Sequence, residues 1–272
     1  MSTAQNQQPV LLINEAVRLE REANVGWVVL TRPQQINAIN DDIRRGVPQA
    51  LALLQQDPEI RVIVIRGEGE RGFCAGADIK ERRGPESSLQ VRLRMENVRW
   101  IEALDTIGKP VIAAIHGYCM GGGLELVLAC DIRFAAPNAV FALPETGLGL
   151  IPGGGGTQRL SRVVAPGQAL DMLLTGDRMN AEQAQRIGLV SRLASDSASL
   201  VDEVRAFAQR IASKPPIASA FVKQAARAAL ELDLKSGLNL ELDLFALLAP
   251  TKDAREAAQA FSERREPHFT GE

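Results

Sequence analysis

Two glutamates stand out for their surroundings. Glu125 lies in "IHGYCMGGGLELVLACDI", three residues after Gly122 and inside a run otherwise built for burial. Glu145 lies in "FALPETGLGLIPGGGGTQRL", where it closes a strand-like run and faces more glycine. A helix that starts at Gly121 or Gly122 presents N–H groups without intrahelical acceptors, at the positive end of its dipole. Glycine lets a substrate oxygen come up against that bare backbone. Such a spot can hold a developing negative oxygen, and losing one donor of this kind typically costs about 2.7–4 kcal/mol in the transition state. Capping and the dipole also favour an acid in the first turn, so this stretch alone leaves both readings open. The neighbours weigh against mere capping. Leu124, Leu126, Val127, Leu128 and Ala129 make the segment apolar all round, and a carboxylate buried there is costly unless something pairs it or uses it.

A second glycine loop, "GFCAGADIK" from Gly72 to Lys80, follows an apolar run. Its small residues place the N–H groups of Cys74, Ala75, Gly76 and Ala77 where they could face a shared cleft. A tight turn with Asp78 capping a helix fits equally well. Phosphate-loop readings fail: Thr157 and Gln158 follow Gly156 where a Walker loop needs GK[ST], and Pro152 breaks a dinucleotide GxGxxG. The run Gly153 to Gly156 reads instead as a tight turn feeding a helix at Thr157. Only His116 and His268 exist, and neither HExxH nor GxSxG occurs. His116 is expected to make a structural hydrogen bond, and Asp131 to cap or bridge the core. Acid–base work therefore falls to carboxylates. Two of them near glycine loops suit chemistry beside a carbonyl: hydration, proton shuffling or bond cleavage through an enolate-like state.

These residues need a frame. "GWVVLTRP" reads as a strand closed by proline, "RVIVIRG" as a strand buried on both faces, and "PVIAAIHG" as another. "IRRGVPQALALLQQDPEI" holds a helix with Ala50, Leu53 and Leu54 at helical spacing. "IRFAAPNAVFALPE" reads as two short strands joined at Pro137-Asn138, and "ERRGPESSLQVRLRMENV" as a helix. Strand, glycine loop and helix recur, which makes the fold class α/β. Past about residue 200 only helical stripes remain, the last placing Ala254, Ala257, Ala258 and Phe261 on one face. The division is a core over 1–200 and a helical region over 201–272, the latter either a lid or a subunit interface.

Composition bounds the rest. The 272 residues are 46% hydrophobic and 24% charged, with net charge -2, ordinary for a soluble globular protein and no reason to expect nucleic acid. Cys74, Cys119 and Cys130 are odd in number without CxxC spacing, which fits a reducing compartment and no metal. The start lacks an apolar or arginine-rich leader, "FTGE" is not a peroxisomal address, and no apolar run approaches ~18 residues. A cytoplasmic protein without a membrane segment is the expectation.

Taken together, "AGADIK", "HGYCMGGGLELVLACDIRFAA", "FALPETGLGLIPGGGGTQRL" and "LLTGDRMNAEQAQRIGLV" resemble the crotonase (ClpP/crotonase-like) superfamily, and most of all its enoyl-CoA hydratases. The resemblance covers nearly the whole chain after the first residues, down to "EAAQAFSERREPHF". It implies a spiral of ββα repeats with a C-terminal α-helical trimerisation region, hence a homotrimer or a hexamer of paired trimers. It implies that the N–H groups of Ala77 and Gly122 form an oxyanion hole for a thioester carbonyl. By the same resemblance Glu125 and Glu145 are the two catalytic glutamates, Glu125 activating a water and Glu145 delivering a proton at C2. Ile36, Ala38, Ala75, Asp78, Ile79 and Lys80, with Ala77 and Gly122, are implied to contact the acyl-CoA substrate, whose coenzyme A makes a separate cofactor unnecessary. One departure is visible: "RPQQINAI" carries Gln34 where the family has lysine in "RPKALNAL", removing a cation near the nucleotide's 3′-phosphate.

Within the superfamily the nearest rival is a Δ3-Δ2-enoyl-CoA isomerase, which needs one acid at the position of Glu145. Keeping both acids favours hydration. Branched substrates of the methylglutaconyl-CoA type, or aromatic and terpenoid acids, stay open. So does an idle acyl-CoA-binding scaffold, against which both glutamates and both glycine loops argue. A protease of related fold fails for want of a serine–histidine pair.

Overall fold

Apolar runs of four to six residues become strands wherever they can be covered on both faces, and the longest of them build the central sheet. The computed structural model describes residues 10–78, 80, 81 and 84–272. The chain opens with β1 (Leu11–Asn14), β2 (Val17–Glu22), β3 (Val25–Leu30), α1 (Asp41–Gln56), β4 (Val62–Gly67) and α2 (Ser88–Asn97). Next come β5 (Val111–Ile115), β6 (Tyr118–Met120), α3 (Gly122–Ala129), β7 (Ile132–Ala135) and β8 (Val140–Ala142). Then follow α4 (Gly156–Val163), α5 (Pro166–Thr175), β9 (Met179–Asn180), α6 (Ala181–Arg186) and β10 (Arg192–Leu193). Helices α7 (Leu200–Ala212), α8 (Pro216–Ala228), α9 (Leu234–Leu248) and α10 (Lys252–Glu263) end the chain.

The main sheet has seven strands in the order β1-β2-β3-β4-β5-β7-β10. Its first two pairings are antiparallel and the rest parallel. Strands β3, β4 and β5 are buried on both faces, as their mainly apolar runs require. Ile43, Val47, Leu51 and Leu54 of α1 join the core on one face of the sheet. On the other face Leu200, Val204, Ala208 and Ala212 of α7 pack with Trp27, Val64, Ile112 and Phe134. Each fully buried aliphatic side chain contributes roughly 1.5–3 kcal/mol.

A second sheet, β6-β8-β9, departs from the simple expectation at Pro137-Asn138. The two strands read there do form, but β7 stays in the main sheet and β8 crosses into the second one, parallel to β6. That crossing carries Glu145 away from the sheet edge and towards the start of α3. The hairpin of β1 and β2 precedes every strand read from the sequence. Val17 and Leu19 point inward, while outside Arg18 pairs with both Glu20 and Glu68. Of the apolar stripe expected on α10, Ala254 and Ala257 are half-buried and Ala258 is exposed, with Phe261 88% exposed, and Asp253 and Ala260 are the buried residues of that helix.

Asp131 bridges core and tail. Its Oδ2 accepts from the Val111 N–H at 2.7 Å, and its two oxygens meet Lys223 Nζ and Arg227 Nη2 of α8, each at 2.8 Å. Lys223 is nearly enclosed, and burial holds its ammonium below the ordinary lysine range against the pull of Asp131. Asp131→Ala strands that ammonium, so urea unfolding is expected to show a loss of about 3–5 kcal/mol. A loss under ~1 kcal/mol, the size of a surface pair, would contradict the bridging role.

Candidate active site

Strand β6 is short, but three pieces of the site hang from it. On one side the loop after β4 is laced to it. Cys74 N–H donates to Tyr118 O at 3.0 Å and Met120 N–H to Cys74 O at 2.9 Å. On the other side β8 pairs in parallel register, Met120 opposite Ala142, and Gly121 N–H donates to Ala142 O at 2.9 Å. The chain then turns at Gly121, whose φ of +50° lies in the left-handed region, and enters α3 at once. Loop, helix start and the segment leading to Glu145 are thereby held side by side.

Glu125 is buried, 5% exposed, on the first turn of α3. Its Oε1 accepts two backbone hydrogen bonds, from Gly154 N–H at 2.6 Å and Gly156 N–H at 2.8 Å. A Cβ at Gly154 would stand 2.8 Å from Oε2 and 2.7 Å from Ile101 Cδ1, so only glycine lets this loop come so near. Burial raises the carboxyl above the usual glutamate range. The two N–H donors and the Arg159 charge oppose that rise, and Glu102 adds to it.

Glu145 follows Leu143 and Pro144 out of β8 into a 3-10 turn, Pro144–Leu148. Its Oε1 reaches the start of α3: a Cβ at Gly121 would lie 2.9 Å from it. A Cβ at the next residue, Gly122, would lie 3.9 Å from Glu125 Oε2. The two acids thus close on consecutive residues at one helix end. Oε2 of Glu145 is buried without a hydrogen-bond partner among the described residues. Burial first, and then the negative charge of Glu125, raise its pKa.

Two backbone amides complete the geometry. Gly122 opens α3, so its N–H has no intrahelical acceptor. Ala77 sits in an isolated bridge with Ile39 in which Ile39 N–H donates to Gly76 O and Asp78 N–H to Ile39 O. Ala77 itself therefore turns its N–H the other way, and no acceptor meets it among the described residues. A Cβ at Gly76 would be 3.5 Å from Gly122 N, which sets the two donors' segments in contact. Of the other amides of that loop, Cys74 and Ala75 are already spent, the latter on Ile36 O at 2.9 Å.

The segment "RPQQINAI" is fixed from within. Ile36 and Asn37 both take positive φ, 49° and 51°. The buried Asn37 amide donates to Glu68 O, Gly72 O and Phe73 O at 3.0, 3.2 and 3.0 Å. Arg32 donates to the Ala38 carbonyl and pairs with Asp78 at 2.9 Å. Burial works against the Asp78 carboxylate, but Arg32 and the Lys80 N–H outweigh it and hold its pKa below the usual range. Asp78 thus serves this bridge and caps no helix among the described residues, where the next helix, α2, begins at Ser88 with its own capping box at Ser87. Lys80 and Gln34 are exposed, and Ile79 lies outside the described residues. His116 makes the structural bond expected of it, to Gly69 O at 2.7 Å.

Residues 20–272 match the family model described as enoyl-CoA hydratase/isomerase. A crotonyl-CoA hydratase of Syntrophomonas wolfei is 40% identical over 259 residues, 94% of this chain and 98% of that one. A mitochondrial enoyl-CoA hydratase of Pongo abelii is 42% identical, covering 90% of this chain and 83% of that protein. The crystal structure of an enoyl-CoA hydratase from Bacillus anthracis superposes with a TM-score of 0.90 at 37% identity, covering 94% and 100%. The chain belongs to the enoyl-CoA hydratase/isomerase family. Its α/β fold is the crotonase fold of those neighbours.

Within that family frame, sequence reasoning missed three participants. The amides of Gly154 and Gly156 reach Glu125 across 29 and 31 residues, and no local pattern marks them. Arg32 gave no sign of reaching Asp78. Among the described residues no cluster of three or more His, Cys, Asp or Glu side chains could hold a metal, and no helix is long and apolar enough to cross a membrane.

Glu145 has a raised folded-state pKa, so stability is greatest below its unfolded value near 4.3 and is lost as pH rises through the folded value. Glu145→Gln removes that penalty. The variant is expected to melt at or above the wild-type temperature at pH 7, the advantage fading as pH falls towards ~4. A variant less stable than wild type at neutral pH would contradict an unpaired, charge-penalised Glu145.

Proposed function

We propose that the protein adds water across the 2,3 double bond of a 2-enoyl-CoA thioester to give a 3-hydroxyacyl-CoA, as a hydro-lyase. One observation carries this reading: Glu125 and Glu145 close on the consecutive residues Gly121 and Gly122, beside the free amides of Ala77 and Gly122. Attack of water at C3 sends negative charge onto the thioester oxygen. Two fixed amides stabilise that charge without reorganising, because the helix start and the Ile39 bridge already aim them.

The two environments support a division of labour. Burial raises the Glu125 pKa, but its two N–H donors and a nearby guanidinium work the other way, towards the ionised form, and we assign it to take a proton from water. Glu145 has an unpartnered oxygen and a negative neighbour, which favour its protonated form, so it delivers a proton to C2. The C3–O bond forms as the double bond's electrons move towards the thioester, and the enolate collapses by taking the Glu145 proton. Exchange with solvent on product release resets both carboxyls. Ile39 and Ile101 press against this point and exclude bulk water, while Met95 of α2 reaches Gly153 and offers an apolar wall to the acyl chain.

The same reading takes in the assembly. Helices α8 to α10 expose Val222, Leu234, Leu242, Phe245 and Phe261, each more than 60% accessible. An apolar surface of that kind supports association of identical chains as trimers or paired trimers, with residues 201–272 as the associating region.

Incubation with crotonyl-CoA is expected to bleach the ultraviolet absorbance of the conjugated enoyl thioester. Glu125→Gln and Glu145→Gln should each lower kcat by about 10²–10⁴-fold while the protein stays folded. Migration of the double bond without uptake of water, or a folded protein inert towards straight-chain, branched and aromatic enoyl-CoA thioesters alike, would overturn the proposal.

A further inference from the structure

The loop that holds Glu125 is itself held. Arg159 donates Nη1 to Asp105 Oδ1 at 2.8 Å and Nη2 to Asp105 Oδ2 at 2.6 Å, a two-bond fork. Asp105 belongs to the 3-10 helix Ile101–Thr106. On its way there the Arg159 side chain crosses the glycine loop: a Cβ at Gly155 would lie 3.0 Å from Nε and 3.4 Å from Cδ. The same 3-10 helix supplies Ile101, which backs Gly154 from the other side. One element thus grips both sides of the turn between the two amides that bind Glu125.

We propose that Asp105 and Arg159 are positioning residues, whose ion pair clamps the Gly153–Gly156 loop so that its amides fix the Glu125 carboxylate. The pair is partly exposed, 23% and 44% at the two side chains, so it contributes little to stability as an isolated ion pair. Its geometry is what matters, since a planar guanidinium fork defines an orientation that a point charge does not. A loop released by a fraction of an ångström would let Glu125 turn away from its water. The charges around Glu125 are Arg159 from α4, Glu102 from the 3-10 helix and Glu145 beyond β8, and of these only Arg159 favours ionisation.

The kinetic part of the test rests on the hydratase reading; the spectroscopic part does not. Arg159→Met, Arg159→Lys and Asp105→Asn are compared with wild type for kcat, KM and the pH profile of hydration. The carboxyl ¹³C signal of Glu125, assigned with Glu125→Gln, is titrated in the same proteins. Arg159→Met is expected to keep its fold by circular dichroism and to lose about 10- to 100-fold in kcat, with KM within about threefold. The acid limb and the Glu125 titration should both move to higher pH, since a cation and two fixed donors are lost. Arg159→Lys should return the titration towards wild type but leave most of the kcat loss, and Asp105→Asn should lose kcat with a smaller titration shift. Folded variants with wild-type kcat and an unmoved Glu125 titration would overturn the clamp. Should Arg159→Met fail to fold, Arg159→Lys and Asp105→Asn decide by the same criteria. An inert wild type would sink the hydratase reading alone, and the titration would still judge the clamp.

Discussion

A carboxylate kept inside an apolar shell at the open end of a helix is the constraint around which this structure is arranged. Glu125 is 5% exposed, and burial of an ion that size costs several kcal/mol even after relaxation. The compensation is backbone, not a salt bridge: two loop amides donate to one oxygen, and the other oxygen is left to face the site. A directly paired cation would have stabilised the charge more and left it less able to take a proton. Two amides and a cation one layer back oppose the rise that burial imposes on its pKa.

That arrangement requires several chain segments to meet within a few ångströms, and strand β6 is where they meet. It bonds the loop before Ala77 on one edge and β8 on the other, then passes directly into α3. The main sheet supplies the rigid backing: β5 precedes β6, and β4 precedes the loop. Crossing of the chain from β7 into the second sheet then delivers Glu145 to the same helix end. Precision at the site comes from hydrogen-bonded backbone, whose positions are over-determined.

Much of this was legible beforehand, for physical reasons that differ by element. The runs "RVIVIRG" and "PVIAAIHG" announce buried strands because nothing polar interrupts them. Glu125 announces itself as the one acid in a helix without a polar face, and Glu145 as an acid among glycines. The hairpin of β1 and β2 escaped because its outward residues, Arg18 and Glu20, hide the inward alternation of Val17 and Leu19. The amides of Gly154 and Gly156, the ion pair of Asp105 with Arg159 and the tie from Arg32 to Asp78 escaped because each joins residues 29 or more apart. A glycine run states that the backbone can approach something, not what it approaches.

A crystal structure of the protein with a saturated 3-hydroxyacyl-CoA bound tests the central claim most directly. The expected density places the thioester oxygen about 3 Å from both the Ala77 and Gly122 nitrogens, and the 3-hydroxyl between the carboxylates of Glu125 and Glu145. A thioester seated elsewhere, or a 3-hydroxyl touching only one of those glutamates, would contradict it.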